Sequence, residues 1–223
     1  LGEIYILTKR KYFMNNLKTL ALAICFTFVA SVASAGMQMG ISAHAIMFES
    51  TGSETLRQSG NVTNKSVDED VVVPSIFIEA MNSDGLGIGI DYVPVAELGS
   101  QSSTNKVDAE TNGENKASAE LASHSTVYAI AQGANGVFIR LGVSFADVDT
   151  TENLSTGDSY GNGSTEGLMA AIGYSRDLDN GVFVRGEVSM TDYDDVSITS
   201  TGGSTVKADV DSTAVSLSIG KSF

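Results

Sequence analysis

The sequence predicts an all-β protein, an eight-stranded antiparallel up-and-down transmembrane β-barrel. In eight segments, apolar residues alternate with small or polar ones. Side chains of a strand point to opposite faces in turn, so each segment has one apolar face. The connections alternate strictly between long and short, and each short one contains Asp-Gly or Asn-Gly before an apolar residue, a strong hairpin signal. This layout is typical of small barrels that cross a membrane, with short turns at one end and long loops at the other.

The first four strands follow directly from the alternation. In the first, Ile41 and Met47 share the apolar face, whereas in the fourth we expect Thr126, Tyr128 and Ile130 to point outward. Polar stretches follow the first and third strands and are predicted to be long loops. The four predicted strands are Gly40–Glu49, Val71–Met81, Leu86–Glu97 and Ala117–Gln132.

The last four strands repeat the same design. The segments NGVFIRLGVSF and NGVFVRGEVSM, at 135–145 and 180–190, are near copies, which indicates that two hairpins share one template. Strands of about 9–11 residues suffice to cross a bilayer at a tilt. These predicted strands are Val137–Asp149, Thr165–Arg176, Val182–Asp194 and Asp211–Phe223.

Six ionisable residues lie on the face opposite the apolar one and are expected to point into the barrel. An eight-stranded barrel is just wide enough for side chains to fill it. Charges there must be paired, because each unpaired buried ion costs several kcal/mol. We therefore expect a structural interior network in which the two arginines meet the three carboxylates. The residues are His44, Glu79, Asp91, Arg140, Arg185 and Glu187.

The beginning of the chain has the pattern of an export signal. Met14 opens a short basic segment, an apolar run follows, and Ala33-Ser34-Ala35 has the form of a cleavage site. We expect residues 1–13 to be an upstream over-extension, 14–35 a signal peptide and 36–223 the barrel. The sole cysteine, Cys25, lies in the apolar run, so a disulfide is not expected after cleavage.

The last strand carries a terminal pattern. Val215, Leu217, Ile219 and the final Phe223 occupy alternate positions on the apolar face. The chain resembles the OmpA/OmpX-like family of small outer-membrane β-barrels, in which such a terminus is the assembly signal. The resemblance implies a multi-pass protein in the outer membrane of a Gram-negative bacterium, in contact with outer-membrane lipid and lipopolysaccharide. It also implies periplasmic chaperones and the barrel-assembly machinery as partners.

The most direct functional prediction is a structural or surface-interaction role, such as membrane integrity or adhesion through acidic loops, with a loop ligand that the sequence does not name. A wide pore is not expected, because aqueous channels need about 16–18 strands. The net charge of −14 excludes nucleic acid as a partner. We expect no cofactor, and no metal site, because the acidic clusters lack the spacing of a calcium-binding loop.

Two alternatives remain open. The first is a lipid-modifying enzyme of the outer membrane, which would use His44 or His124 with a nearby serine and a carboxylate. The second is a soluble periplasmic barrel with the apolar face inside, which would bind a small apolar ligand. Catalysis is the less favoured of these expectations, because no spacing around either histidine matches a catalytic motif.

Overall fold

The computed structural model describes residues 36–57, 59–105, 113–155 and 157–223. The predicted signal peptide and the predicted over-extension before it lie outside the described residues. Within the described ranges, no helix is both long and apolar enough to cross a membrane. The described residues form one 3-10 turn, Asp179–Gly181, and ten strands. These are β1 Gly36–Thr55, β2 Val62–Met81, β3 Leu86–Val93, β4 Ala96–Asn105, β5 Gly113–Gln132, β6 Val137–Asn153, β7 Gly163–Asp177, β8 Val182–Tyr193, β9 Val196–Thr199 and β10 Thr205–Ser222.

The strands form one closed antiparallel sheet. The order is β1-β2-β3-β5-β6-β7-β8-β10, and β10 pairs back onto β1 with Ile41 opposite Ile219. β4 continues the wall beyond β3 and pairs with β5, while β9 continues β8 and pairs with β10. The wall therefore has eight positions, and the predicted eight-stranded antiparallel barrel is confirmed. The predicted third strand is interrupted at Pro94, which cannot donate to the ladder.

The predicted strand ends are wrong at the end of the barrel with the long connections. β1 and β2 stay in register up to the pair Thr55–Val62, far beyond the predicted ends of these strands. The polar segments 50–55 and 62–70 are thus paired strands rather than loops. Apart from Val62 and Val67, their side chains are polar on both faces, because both faces meet water there, so no alternation reveals them. The sheet consequently projects well past the apolar part of the wall.

An apolar belt surrounds the outside of the barrel. Ile41, Ile76 and Leu217 are 60%, 56% and 71% exposed, so the aliphatic face of the sheet points away from the closed centre. A soluble barrel with its apolar face inside is therefore contradicted. Hydrocarbon is the medium that accepts such a face around a whole barrel. On β1 the belt runs from Met37 to Met47.

Outward carboxylates border the belt at the end of the barrel with the long connections, and each of the eight wall positions has one. Asp68, Glu49, Asp211 and Asp192 stand opposite one another on four neighbouring strands. Charged side chains on a lipid-facing surface are costly near the bilayer centre and cost little at the interface. The hydrocarbon layer therefore ends at this level. The outward carboxylates at this level are Asp68, Glu49, Asp211, Asp192, Glu166, Asp147, Glu120 and Glu97, and Asp70 lies two residues nearer the membrane on β2, opposite Met47.

The fourth predicted strand, β5, has the opposite orientation from the one expected. Thr126, Tyr128 and Ile130 are 5%, 0% and 1% exposed and point into the barrel. Val127 and Ala129 therefore lie on the outward parity, where Ala129 is only 8% exposed. Alternation was ambiguous here, because apolar residues occupy both parities of 127–131. The tyrosine hydroxyl decides the orientation, since inside the barrel it reaches a buried acceptor and in hydrocarbon it would have none.

Candidate functional site: the barrel interior

Arg185 occupies the interior near the end with the short turns. It lies on the inward face of β8 and is 7% exposed. Its Nη1 donates to both carboxylate oxygens of Glu79 at 2.7 Å, and Nη2 donates to Oε1 of Gln38 at 2.8 Å. Nε lies 3.4 Å from Oγ of Ser175. The guanidinium N–H groups thus bond to side chains on β1, β2 and β7, and these bonds connect the three strands across the lumen.

Three phenylalanine rings surround this arginine. The guanidinium carbon lies 4.5 Å from the ring centre of Phe183, 5.4 Å from that of Phe138 and 5.6 Å from that of Phe77. Ring faces attract a cation, and more strongly where water is excluded. The rings fit because glycines face them: a Cβ on Gly173 would collide with the Phe138 ring and one on Gly220 with the Phe183 ring.

A second ion pair lies beside the first. Nη2 of Arg140 contacts Oε1 of Glu187, and the side chains are 10% and 6% exposed. The guanidinium of Arg140 also stacks 4.3 Å from the ring centre of Tyr128. The hydroxyl of Tyr128 donates to Oε1 of Glu79 at 2.7 Å. Tyr128 therefore joins the two ion pairs into one layer across the interior.

Asp91 and His44 point inward as expected and line one cavity with Arg140, but their hydrogen bonds in the described part of the chain go to Ser75. Ser75, which the sequence did not single out, donates to Oδ2 of Asp91 at 3.0 Å. Nε2 of His44 lies 2.8 Å from the same hydroxyl. Since the Ser75 proton is directed to the carboxylate, the histidine acts as donor to the serine rather than as its base. A serine nucleophile needs the reverse arrangement.

The other histidine has a different partner. Nε2 of His124 lies 3.1 Å from the hydroxyl of Tyr193, and the two rings meet edge to face with centroids 6.3 Å apart. Ser42, which shares the inward face with His44, bonds to Ser218 at 2.8 Å instead. His44 therefore bonds to Ser75 rather than to Ser42, and His124 bonds to a tyrosine. Nor do three metal-ligating side chains converge anywhere in the described part of the chain.

A cavity lies on the other side of the ion-pair layer, toward the long-hairpin end. Its volume is about 120 Å³, and Arg140, Asp91 and Thr126 contribute polar groups to its wall together with both histidines. The rest of the wall is mainly aliphatic and aromatic carbon. The apolar residues are Ile46, Phe48, Val93, Leu121, Ala146, Met169, Val210 and Ala214, and the hydroxyl-bearing residues Thr165, Ser189, Thr191, Tyr193 and Ser212 complete the wall.

Comparison with known proteins gives no match to a family model and no match to a curated protein. Solved structures do match. The outer membrane protein OprG from Pseudomonas aeruginosa superposes with a TM-score of 0.55 at 14% identity, over 85% of this chain and 96% of OprG. This chain has the fold of the small outer-membrane β-barrels. The fold and the apolar belt together identify it as a multi-pass membrane barrel with the fold of outer-membrane proteins.

Two further solved barrels are similar at lower scores. Neisserial surface protein A has a TM-score of 0.41 and 17% identity over 82% of this chain and 97% of its own. Ail of Yersinia pestis, solved with a heparin analogue, has a TM-score of 0.41 and 12% identity over 82% of this chain and 99% of its own.

The residues of the predicted assembly signal lie on the outer face of the last strand and at its end. Val215, Leu217 and Ile219 face outward on β10. The amide of Phe223 donates to the carbonyl of Met37 at 2.8 Å, so the last residue is fastened to β1, and its ring is 69% exposed. Their recognition by the assembly machinery remains a prediction.

Sequence reasoning missed the aromatic part of the interior. Tyr128 was assigned to the wrong face, and no role was given to the phenylalanines that surround Arg185. A signal was present in the glycines of the inward face: Gly89 leaves room for the Tyr128 hydroxyl, which would lie 2.6 Å from a Cβ there. Inward glycines opposite inward rings indicate a filled lumen rather than a uniformly small lining.

Proposed function

We propose that this protein is a non-channel outer-membrane barrel whose role is structural and whose outer end mediates surface contacts. The ion-pair layer carries the proposal. Two arginines, two glutamates, Tyr128 and three phenylalanine rings fill one level of the lumen. Opening a path through it would separate buried opposite charges, which costs several kcal/mol for each pair.

The projecting hairpins support a role in surface contact. Their tips contact one another: the amide of Thr201 donates to the carbonyl of Ser159 at 2.9 Å, and Nη1 of Arg57 donates to the carbonyl of Gly202 at 3.2 Å. The hydroxyl of Tyr160 bonds to Glu54 at 2.5 Å. An ordered surface loses less conformational entropy on binding than mobile loops do. We propose lipopolysaccharide and outer-membrane lipid as its neighbours, and chaperones and the barrel-assembly machinery as partners during insertion.

We also propose that the barrel is not an enzyme. The hydroxyl of Ser75 is committed to Asp91, and its residue is only 2% exposed, so an acyl substrate could not reach it without opening the wall. Lipid A from cells with and without the protein should therefore have the same mass spectrum. A change in acyl number would support the enzymatic alternative.

The surface role is tested by shortening one hairpin. Thr51 stands opposite Ser66, so joining them through Asn-Gly removes the outer part of β1 and β2 but keeps the membrane-spanning wall. Cells with this variant should keep a heat-modifiable barrel and lose either adhesion or resistance to detergent. If both properties equal those of wild type, the proposed role of this surface is wrong.

The closed interior is tested by conductance. The purified barrel in a planar bilayer should show no stable ion conductance, because the ion-pair layer blocks the lumen. Steady openings by the wild-type protein would contradict the proposal. An Arg185→Gly/Glu79→Gly/Phe183→Gly triple variant, which empties part of the layer and leaves no unpaired Glu79 carboxylate, serves as the positive control for insertion.

A further inference from the structure

We propose that the cavity beyond the ion-pair layer binds one small neutral molecule with a compact apolar body and a single oxygen. The inference does not rest on the surface role proposed above. Its basis is a cavity of stated size and lining inside the barrel, together with polar groups whose hydrogen-bonding capacity is incompletely used.

The size of the cavity sets the size of the ligand. A volume of about 120 Å³ is close to that of an engineered apolar protein cavity of about 150 Å³ that holds benzene. A molecule with one six-membered ring therefore fits, and an acyl chain or a sugar does not. The aliphatic wall, with Ile46, Leu121 and Met169, favours an apolar body, because water in contact with such a wall makes few hydrogen bonds.

The polar groups favour an oxygen on the ligand. Nε of Arg140 is buried and has no hydrogen-bond partner among the described residues, although Arg140 lines the cavity. An unpaired buried donor is costly, and an oxygen acceptor placed near it removes that cost. His44 and His124 each form one hydrogen bond within the described part of the chain, and both line the same cavity. A hydroxyl can donate to one such group and accept from another.

The charges of the wall favour a neutral ligand. Arg140 is already paired with Glu187, and Asp91 already accepts from Ser75. An anion or a cation would lose its hydration in a mostly apolar cavity. A cation near Asp91 would also compete with Arg140, which already attracts that carboxylate. Cyclohexanol matches the size, the single oxygen and the absence of charge. Cyclohexanecarboxylate has the same ring with a negative charge, and serves as the comparison.

The two histidines provide a direct readout. The chain contains His44 and His124 and no other histidine, and both line the cavity. In barrel labelled with nitrogen-15 histidine and reconstituted in nanodiscs, cyclohexanol should shift both side-chain signals saturably. Single replacements His44→Asn and His124→Asn assign the signals. Cyclohexanecarboxylate should bind at least about tenfold more weakly, because charge burial opposes it.

Cavity-filling variants separate binding in the lumen from partition into lipid. Ala214 lines the cavity, and Ala45 lies one pair away on β1 and faces lipid. Ala214→Phe should abolish the saturable shift, and Ala45→Phe should keep it. Ala146→Leu, on a different strand of the cavity wall, repeats the test if Ala214→Phe fails to give a heat-modifiable band. Shifts that do not saturate, or that persist in both filled variants, would overturn the proposal and leave the surface role unaffected.

Discussion

Glu79 and Arg185 meet across the lumen of the barrel, with Nη1 of the arginine 2.7 Å from both carboxylate oxygens. Glu79 is 1% exposed, and the strands that carry the two residues, β2 and β8, are not neighbours in the wall. The pair therefore connects parts of the sheet that no backbone hydrogen bond joins. Its energetic role is testable, because each partner can be removed alone or together.

Replacement of Arg185 by leucine should strongly lower the melting temperature of the barrel in detergent. The carboxylate of Glu79 would stay buried without its cation, which costs about 3–5 kcal/mol. The double variant Arg185→Leu/Glu79→Leu should recover part of the loss, because it leaves no buried charge. Arg176→Leu, on an exposed site of β7, is the control and should change stability by less than about 0.5 kcal/mol. Equal melting of wild type and Arg185→Leu would refute the network.

Tyr128→Phe should destabilise the barrel because it removes one buried hydroxyl. The ring would remain over Arg140, but Glu79 would lose the donor that now lies 2.7 Å away. Loss of a buried bond to a charged group costs about 1.5–3 kcal/mol. The temperature at which the heat-modifiable band disappears measures the effect. Tyr174→Phe, at a 54% exposed position on the outer face, should be almost neutral, and a matching loss there would contradict the assignment.

Gly89→Ala tests whether inward glycines exist to admit the rings. A Cβ at Gly89 would lie 2.6 Å from both Cζ and the hydroxyl of Tyr128 and 2.8 Å from Cγ of Glu79. Overpacking of this kind costs about 1–3 kcal/mol. At Gly186 a Cβ would meet only Cδ2 of Leu217, at 3.8 Å, so Gly186→Ala should be tolerated. Equal melting temperatures of the two variants would contradict the prediction, because they would show that the Tyr128 and Glu79 side chains can move away from an added Cβ at little cost.

Leu217→Arg tests the medium outside the wall. Leu217 is 71% exposed and lies midway along the apolar part of β10. An arginine at the midplane of a lipid-facing surface costs about 2–4 kcal/mol, and near the interface about 0–1 kcal/mol. Glu49→Arg, at the carboxylate level of β1, is the matched control. Refolding yield into lipid vesicles should fall for the first variant and not for the second; equal yields would place the hydrocarbon layer elsewhere.

The outer halves of the strands show why alternation fails as a boundary signal. β1 and β2 remain paired through segments such as Ser53–Asn64, where both faces carry polar side chains. The alternation used for prediction arises only where one face meets hydrocarbon. Beyond the membrane the backbone pairing continues while the side-chain contrast disappears, so these segments had the composition of loops.

The interior partners illustrate a second limit. Asp91 was expected to meet an arginine and instead accepts a hydrogen bond from Ser75. The odd or even position of a residue along its strand shows that it lies on the inner face. It does not show which residue lies opposite across the lumen, because that depends on the stagger of the strands around the closed wall. Tyr128 shows the same point, since its hydroxyl reaches Glu79 only because β2 and β5 approach each other inside the barrel.

Local pattern was sufficient for the number of wall strands, their antiparallel order and the short turns, because each depends on residues adjacent in the chain. It also gave the side of the sheet that faces lipid, except on β5, where apolar residues occupy both parities. Closure of the wall decided which buried charges pair, that aromatic rings rather than small residues fill the lumen, and that a cavity remains beyond them. Those features depend on contacts between residues distant in the chain, and a one-dimensional alternation carries no information about such distances.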